Sequence, residues 1–125
     1  MKIGYLDSSG LLAMILLEPG SAKVAQRIQA FDRFFSSNLL EAEVYSALRR
    51  ERIEWRWSLS GLTWVHPDRP LTPEFQEVLA HGYLRGADLW HLACARFLSE
   101  RVGEITFLTL DQRQRDVAER LGFSV

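Results

Sequence analysis

Two acidic residues of this sequence follow apolar runs of strand type. Asp7 ends such a run in YLDSSGLL, and Asp111 ends another in ITFLTLDQ. Because the carboxyl ends of parallel strands meet at one edge of a sheet, the two side chains are expected to lie close together. Carboxylates a few ångströms apart raise each other's pKa, and a hard divalent cation relieves the repulsion. The pattern therefore indicates a site for Mg²⁺ or Mn²⁺.

Glu43 lies on the apolar face of a predicted helix, NLLEAEVYSALRR. At about 100° per residue it falls between Leu39 and Ala47, inside the apolar arc, whereas Glu41 falls on the edge of that arc. Glu41 also stands three residues after Asn38, the spacing of a capping box, which gives it a structural role. A buried carboxylate without a cation costs about 3 kcal/mol or more. A metal-ligand role is therefore favoured for Glu43 over a partly exposed edge position.

Asp88 opens the predicted helix DLWHLACARFL. An Asp in the first turn commonly only stabilises the helix dipole. Asp7 and Asp111 can likewise be plain helix caps, and Gln114 completes a capping box with Asp111. Each acid by itself is weak evidence for a site, but the four together favour a shared cation. Zinc is not expected, because Cys94 and the three histidines show no zinc-ligand spacing.

Strands alternate with helices along the chain. Strands are predicted over KIGYLD, RFFSS, LTWVHP, EITFLTLD and FSV, and helices over SSGLLAMILLE, SAKVAQRIQAF, NLLEAEVYSALRRERI, TPEFQEVLAHGY, ADLWHLACARFLSERVG and QRQRDVAERLG. Pro19 and Gly20 are expected to stop the first helix, and a Thr72 cap to start the fourth. Such alternation requires crossovers that cover both faces of a sheet. The predicted fold is α/β, a three-layer α/β/α sandwich around a mainly parallel sheet of four to five strands.

The composition indicates one globular domain, residues 1–125, with 47% hydrophobic and 25% charged residues. The net charge of −1 gives no sign of a nucleic-acid partner. The apolar run LLAMILL is too short to span a bilayer and no cleavage site follows it, so no membrane attachment is expected. The lone Cys94 can form no internal disulfide, which fits a reducing cytoplasm.

These motifs resemble those of PIN-domain ribonucleases, specifically the VapC-type toxins of toxin–antitoxin pairs. The resemblance runs from YLDSSGLL through SSNLLEAEVYSALRR and ADLWHLACA to ITFLTLDQRQRDVAERLGFSV. It places the four acids of the family on Asp7, Glu43, Asp88 and Asp111. It implies a PIN-like fold and a metal-dependent endoribonuclease, in which these side chains hold Mg²⁺ or Mn²⁺ and a metal-activated water hydrolyses RNA. The segment EWRWSLSGLTW is shorter than in many relatives, which puts the expected substrate groove in doubt.

Polar and basic residues near the acids complete the expected site. Ser8 or Ser9, Ser37 and Thr109 are expected to support the metal ligands. Candidates for contact with RNA phosphates, each also interpretable as part of a solvated helix face, are Arg49, Arg50, Arg85 and Arg113. The resemblance further implies a homodimer and an inhibitory antitoxin whose tail can place a basic side chain among the acids. Roles stay open for Trp55, Trp57, Trp64, His91 and Asp116.

The main alternative is a non-catalytic PIN-like module that binds protein or RNA, in which the acids serve only as caps. Other α/β phosphate proteins fit less well. Haloacid-type phosphotransferases need a second Asp two residues after the first, where this chain has Ser9. Receiver domains need a Lys at a later strand end, but the lysines here are Lys2 and Lys23. The sequence leaves open which RNA is cut.

Overall fold

The computed structural model describes residues 1–15, 21–54 and 61–125. Its elements in chain order are β1 (Ile3–Leu6), α1 (Ser8–Ile15), α2 (Ser21–Ile28), β2 (Arg33–Ser37), α3 (Asn38–Glu51), β3 (Leu62–Val65), α4 (Thr72–His81), α5 (Gly86–Val102), β4 (Thr106–Leu108) and α6 (Gln112–Arg120). The helix stop predicted at Pro19 and Gly20 lies outside the described residues.

The described strands form one sheet in the order β3-β2-β1-β4, and every pair is parallel. Tyr5 in the central strand β1 stands opposite Phe35 of β2 and Phe107 of β4. The helices pack around this sheet, which confirms the predicted α/β fold of the PIN type. Within the described residues the sheet has four strands.

The strand predicted for FSV at the carboxyl end is wrong. Ser124 makes only an isolated parallel bridge to Thr106, with Phe107 N donating to Ser124 O at 2.8 Å. Phe123 instead packs its ring against Phe107, with centroids 6.2 Å apart. The packing of Phe123 and one backbone hydrogen bond to β4 therefore hold this segment. A strand would require a longer run of paired backbone groups.

The strand order reverses at β1 and β4. The chain runs from β1 outward through β2 to β3, and then returns to the opposite side of β1 to form β4. In open α/β sheets, ligands bind where the strand order reverses in this way. Asp7 follows β1, and the segment from Thr109 to Asp111 follows β4. The fold thus brings two of the candidate acids to this switch point.

Buried apolar residues lie on both faces of the sheet. On one face Tyr5 stacks on Phe107, with ring centroids 5.5 Å apart, beneath Leu92 of α5 and Val117 of α6. A smaller cluster joins α1 to α3 through Leu11, Leu40, Val44 and Leu48. Each such buried side chain stabilises the fold by about 1.5–3 kcal/mol. This packing fixes the positions of α3 and α5, the helices that carry Glu43 and Asp88.

Two predicted helix starts are wrong in detail. The N-cap of α3 is Ser37, whose Oγ accepts from Leu40 N at 3.2 Å, so Asn38 and Glu41 form no capping box. Ser37 has the extended backbone of an N-cap because β2 runs directly into the helix. Asn38 Oδ1 instead accepts from Trp90 Nε1 at 3.1 Å. At α4 the N-cap is Leu71, and Thr72 already lies within the helix, with proline in the first turn as predicted.

Glycines with positive φ angles follow the ends of two helices. Gly103 follows α5 with φ of 88°, and Gly122 follows α6 with φ of 96°. Glycine adopts this left-handed region without the steric penalty of a Cβ atom. In the described part of the chain, no helix combines the length and apolar character needed to cross a membrane.

Candidate active site

Asp7 is a buried carboxylate immediately after β1, with 1% of its surface exposed. Its Oδ1 accepts from Ser9 Oγ at 2.8 Å and from Gly10 N at 3.0 Å. Its Oδ2 accepts from Thr109 Oγ1 at 2.5 Å. Burial raises the pKa of Asp7 above its ordinary value, and the hydrogen bonds from Thr109, Gly10 and Ser9 oppose that rise. The charged form is therefore only partly compensated by the protein.

Ser9 makes the supporting contact that was expected of Ser8 or Ser9. Its hydroxyl lies 3.2 Å from Thr109 Oγ1 and accepts from Leu110 N at 3.0 Å, in addition to its contact with Asp7. No side-chain hydrogen bond from Ser8 to Asp7 is present in the described residues. The first turn of α1 is thus joined to the end of β4, and both elements hold the same carboxylate.

Asp111 is the N-cap of α6, and its Oδ1 accepts from Gln114 N at 2.9 Å. Of the two hydrogen bonds of the predicted capping box, the one from the Gln114 backbone to the Asp111 side chain forms. The Gln114 amide turns instead to α5, where Nε2 donates to the backbone carbonyl of Asp88 at 3.0 Å. Gln114 is fully buried, and its Oε1 has no hydrogen-bond partner among the residues that the structure describes. Gln114 therefore ties the helix start at Asp111 to the helix start at Asp88.

Glu43 contacts His91, whose role the sequence analysis leaves open. His91 is fully buried, and its Nε2 lies 2.6 Å from Glu43 Oε1. Its Nδ1 lies 2.7 Å from Ser37 Oγ. The side chain of Glu43 keeps 30% of its surface exposed, so the carboxylate reaches the edge of the protein. The helical spacing of three residues between Asp88 and His91 is the signal that places both on one face of α5.

Asp88 lies half-buried in the first turn of α5, and the charges of other acids affect its pKa. Burial raises the pKa of Asp88, and the charges of Asp111 and Glu43 raise it further. His91 and Arg85 act in the opposite direction and lower it. The charges of Glu43 on α3 and of Asp111 at the start of α6 therefore both act on Asp88.

The donor chemistry of these acids fits a hard divalent cation, since Mg²⁺ and Mn²⁺ prefer carboxylate oxygens. Among residues 1–15, 21–54 and 61–125, however, no three His, Cys, Asp or Glu side chains form a group that could hold a metal ion. Coordination of Mg²⁺ requires oxygen–metal distances of about 2.0–2.1 Å. Binding of an ion by this set therefore requires the carboxylates to approach one another further.

The candidate arginines are spread over three helices. Arg85 is the exposed N-cap of α5 and acts electrostatically on Asp88. Arg49 and Arg50 lie exposed in the last turn of α3, where Arg50 pairs with Glu51 at 3.1 Å. Arg113 lies exposed in the first turn of α6, beside Tyr83 in a surface groove. Arg85 is therefore close enough to Asp88 for its charge to lower the pKa of that carboxyl.

The remaining open residues have the following positions. Asp116 accepts from Gln112 Nε2 at 2.7 Å, and no pairing with Arg120 is seen in the described residues. Trp64 lies half-buried in β3 and packs against the smaller core cluster. Trp55 and Trp57 lie outside the described residues.

Comparisons with known proteins identify the family. The model of the PIN domain family matches residues 4–120. Ribonuclease VapC46 from Mycobacterium tuberculosis (strain ATCC 25618 / H37Rv) is 32% identical over 125 residues, covering 97% of this chain and 94% of the relative. The all-parallel sheet flanked by helices agrees with the fold of this family. The chain belongs to the PIN-domain family and, within it, to the VapC-type ribonucleases.

Proposed function

We propose that this protein is a metal-dependent endoribonuclease and the toxin of a toxin–antitoxin pair. The name of the mycobacterial relative assigns ribonuclease activity to that protein, and family membership supports extending this activity to the present chain. The observation that carries the proposal is that Asp7 and Asp111 follow β1 and β4, parallel neighbours whose carboxyl ends meet at one edge of the sheet. Carboxylates gathered at one edge repel one another, and a divalent cation relieves that repulsion.

Asp7, Glu43, Asp88 and Asp111 would hold the ion, with Mg²⁺ as the expected species and Mn²⁺ as its substitute. When bound, such an ion supplies Lewis-acid chemistry, activating water and offsetting the charge that develops on the phosphodiester. Ser9 and Thr109 keep the Asp7 carboxylate oriented through their hydrogen bonds. Arg85 stands beside Asp88 at the exposed rim, where a guanidinium can contact an RNA phosphate.

The proposed partners follow from the same charges. An antitoxin tail that carries a basic side chain would neutralise the acids and compete with the cation for them. We also propose a homodimer, and a cytoplasmic location consistent with the unpaired Cys94. Residues 1–125 act as one domain in this proposal.

A non-catalytic binding module is the second candidate. Two observations favour it: Asp111 acts as a helix cap, and Asp7 accepts hydrogen bonds at both oxygens from the protein itself. In that case the acids have structural partners and no ion is needed. The two candidates differ in what happens to RNA when a divalent cation is removed.

The test is cleavage of total RNA by protein freed of any co-purifying partner. We expect cleavage with Mg²⁺ or Mn²⁺, none with EDTA, and a loss of about 100-fold or more for Asp88→Asn and for Glu43→Gln. Glu41→Gln is the matched control, because it removes a carboxylate from the same helix outside the proposed set, and its activity is expected to stay near wild type. Intact RNA in every lane, or cleavage that persists in EDTA, would refute the enzyme.

A further inference from the structure

The buried imidazole of His91 joins the helix that carries Asp88 to the helix that carries Glu43. Its two ring nitrogens contact two groups of the α3 segment, Ser37 at the N-cap and Glu43 within the helix. The geometry points to His91 as a positioning residue that orients the Glu43 carboxylate toward the cation. This inference rests on the proposed function, because orientation of Glu43 matters only where it is a ligand.

The hydrogen-bond network assigns the proton that His91 donates. An ionised carboxylate can only accept, so the 2.6 Å contact with Glu43 Oε1 requires a proton on His91 Nε2, and the Ser37 hydroxyl, 2.7 Å from Nδ1, can donate to that nitrogen. In the neutral ring the proton then lies on Nε2, and in the charged ring both nitrogens carry one. In either state Nε2 donates to Glu43 Oε1, at 2.6 Å. The contact with Glu43 is therefore independent of the charge on the ring.

This contact restricts a side chain that would otherwise be mobile. Glu43 is 30% exposed, and a glutamate with three rotatable bonds can turn its carboxylate into solvent. His91 is a fully buried residue of α5, so the surrounding core fixes the position from which its Nε2 donates. By binding Oε1 it leaves Oε2 available to a cation. Hydrogen bonds of this kind to a ligating carboxylate commonly change metal affinity by about 10–100-fold.

A histidine with a purely structural role would make the same two contacts. The test must therefore distinguish the contact of Nε2 with Glu43 from the contact of Nδ1 with Ser37. The amide of Gln approximates the position of Nε2, and the shorter amide of Asn approximates that of Nδ1. We expect His91→Gln to keep Mn²⁺ affinity within about 3-fold of wild type, and His91→Asn and His91→Leu to weaken it by about 10–100-fold. Affinity is measured by calorimetry on the full chain without RNA, and cleavage rates are measured alongside.

The two proposals fail in different ways. If wild-type protein binds Mn²⁺ and cleaves RNA but His91→Asn binds the ion as tightly as His91→Gln does, the positioning role is refuted and the proposed function stands. If wild-type protein binds no divalent cation, both are refuted. Loss of Mn²⁺ affinity that simply follows loss of thermal stability across the three variants also refutes positioning.

A second measurement tests the inference even if the His91 variants fail to fold, because it uses wild-type protein. Nitrogen NMR of wild-type protein with labelled histidine reports directly on the His91 ring. We expect a proton on Nε2 and a shift of the Nε2 signal on adding Mg²⁺, with that response absent in Glu43→Gln. His66 and His81 are exposed and serve as internal controls that should not respond. A neutral ring protonated on Nδ1, or a ring unaffected by Mg²⁺, refutes the inference.

Discussion

Thr109 Oγ1 lies 2.5 Å from Asp7 Oδ2, so a hydroxyl beyond the end of β4 hydrogen-bonds a carboxylate beyond the end of β1. The two strands are parallel neighbours, with Leu6 opposite Leu108, which brings the residues after them to one edge. The same hydroxyl accepts from Asp111 N at 3.0 Å. One threonine therefore contacts the residues of both acids at the switch point of the sheet.

We expect Thr109→Val to shift the pH dependence of divalent-cation binding to higher pH. The lost hydroxyl lowers the pKa of Asp7, so its removal lets protons compete with the cation at higher pH than in wild type. Mn²⁺ affinity measured by calorimetry across pH 5–8 tests this expectation. Thr63→Val, at an exposed position of β3, is the matched control. Coincident pH profiles for Thr109→Val and wild type would contradict it.

Asp7→Asn should stabilise the protein at neutral pH in EDTA while it abolishes cleavage. Burial raises the folded-state pKa of Asp7, so ionisation opposes folding, and stability falls as pH rises from the unfolded value near 3.8 through the folded value. The amide removes this penalty and still accepts from Gly10 N. We expect a melting temperature higher by about 2–5 °C at pH 7.5. The gain should shrink as pH falls toward 3.8, and a lower melting temperature at pH 7.5 would count against it.

The ion pair between Arg69 and Glu74 gives a pH dependence of the opposite sign. Arg69 donates to both carboxylate oxygens, at 2.9 and 2.6 Å, and lowers the pKa of the buried Glu74. The pair stabilises the fold above the unfolded pKa and is lost as pH falls through the lowered folded value. Because Arg69 is partly exposed and screened, we expect Glu74→Gln to lower the free energy of unfolding by about 1 kcal/mol at pH 7.

Urea unfolding at pH 7 and near pH 3.5 measures this difference, which should diminish at the lower pH. Glu77→Gln is the control, because Glu77 pairs with Arg96 at 3.0 Å but is more exposed. A deficit for Glu74→Gln that grows toward acid pH would contradict the assigned sign.

Gln114→Met is expected to separate stability from activity. The substitution removes the hydrogen bond to the Asp88 carbonyl and also removes the buried, unpartnered Oε1. These effects oppose each other, so the free energy of unfolding should change by less than about 1 kcal/mol. Cleavage should fall several-fold because Asp88 is held less firmly relative to Asp111. Gln112→Met, at an exposed position of the same helix, should leave the rate unchanged, and equal rates for the two variants would argue against this link.

Local pattern was sufficient for most elements of the fold. Helical spacing predicts α3, α5 and α6, because it depends on neighbouring residues of the chain. The predicted caps at Asn38 and Thr72 were wrong by one residue, since the N-cap depends on where the preceding segment leaves its extended conformation. The short FSV segment failed because its pairing depends on β4 and on the packing of Phe123.

The sequence by itself determined the family, the α/β fold and the arrival of Asp7 and Asp111 at one edge, because parallel strands place their carboxyl ends together. Only the tertiary structure decided which side chains hold these acids. The contacts of Glu43 with His91 and of Gln114 with the Asp88 carbonyl join residues far apart in the chain. Such contacts depend on how helices pack across the sheet and on which rotamers that packing allows, and neither is encoded in local spacing.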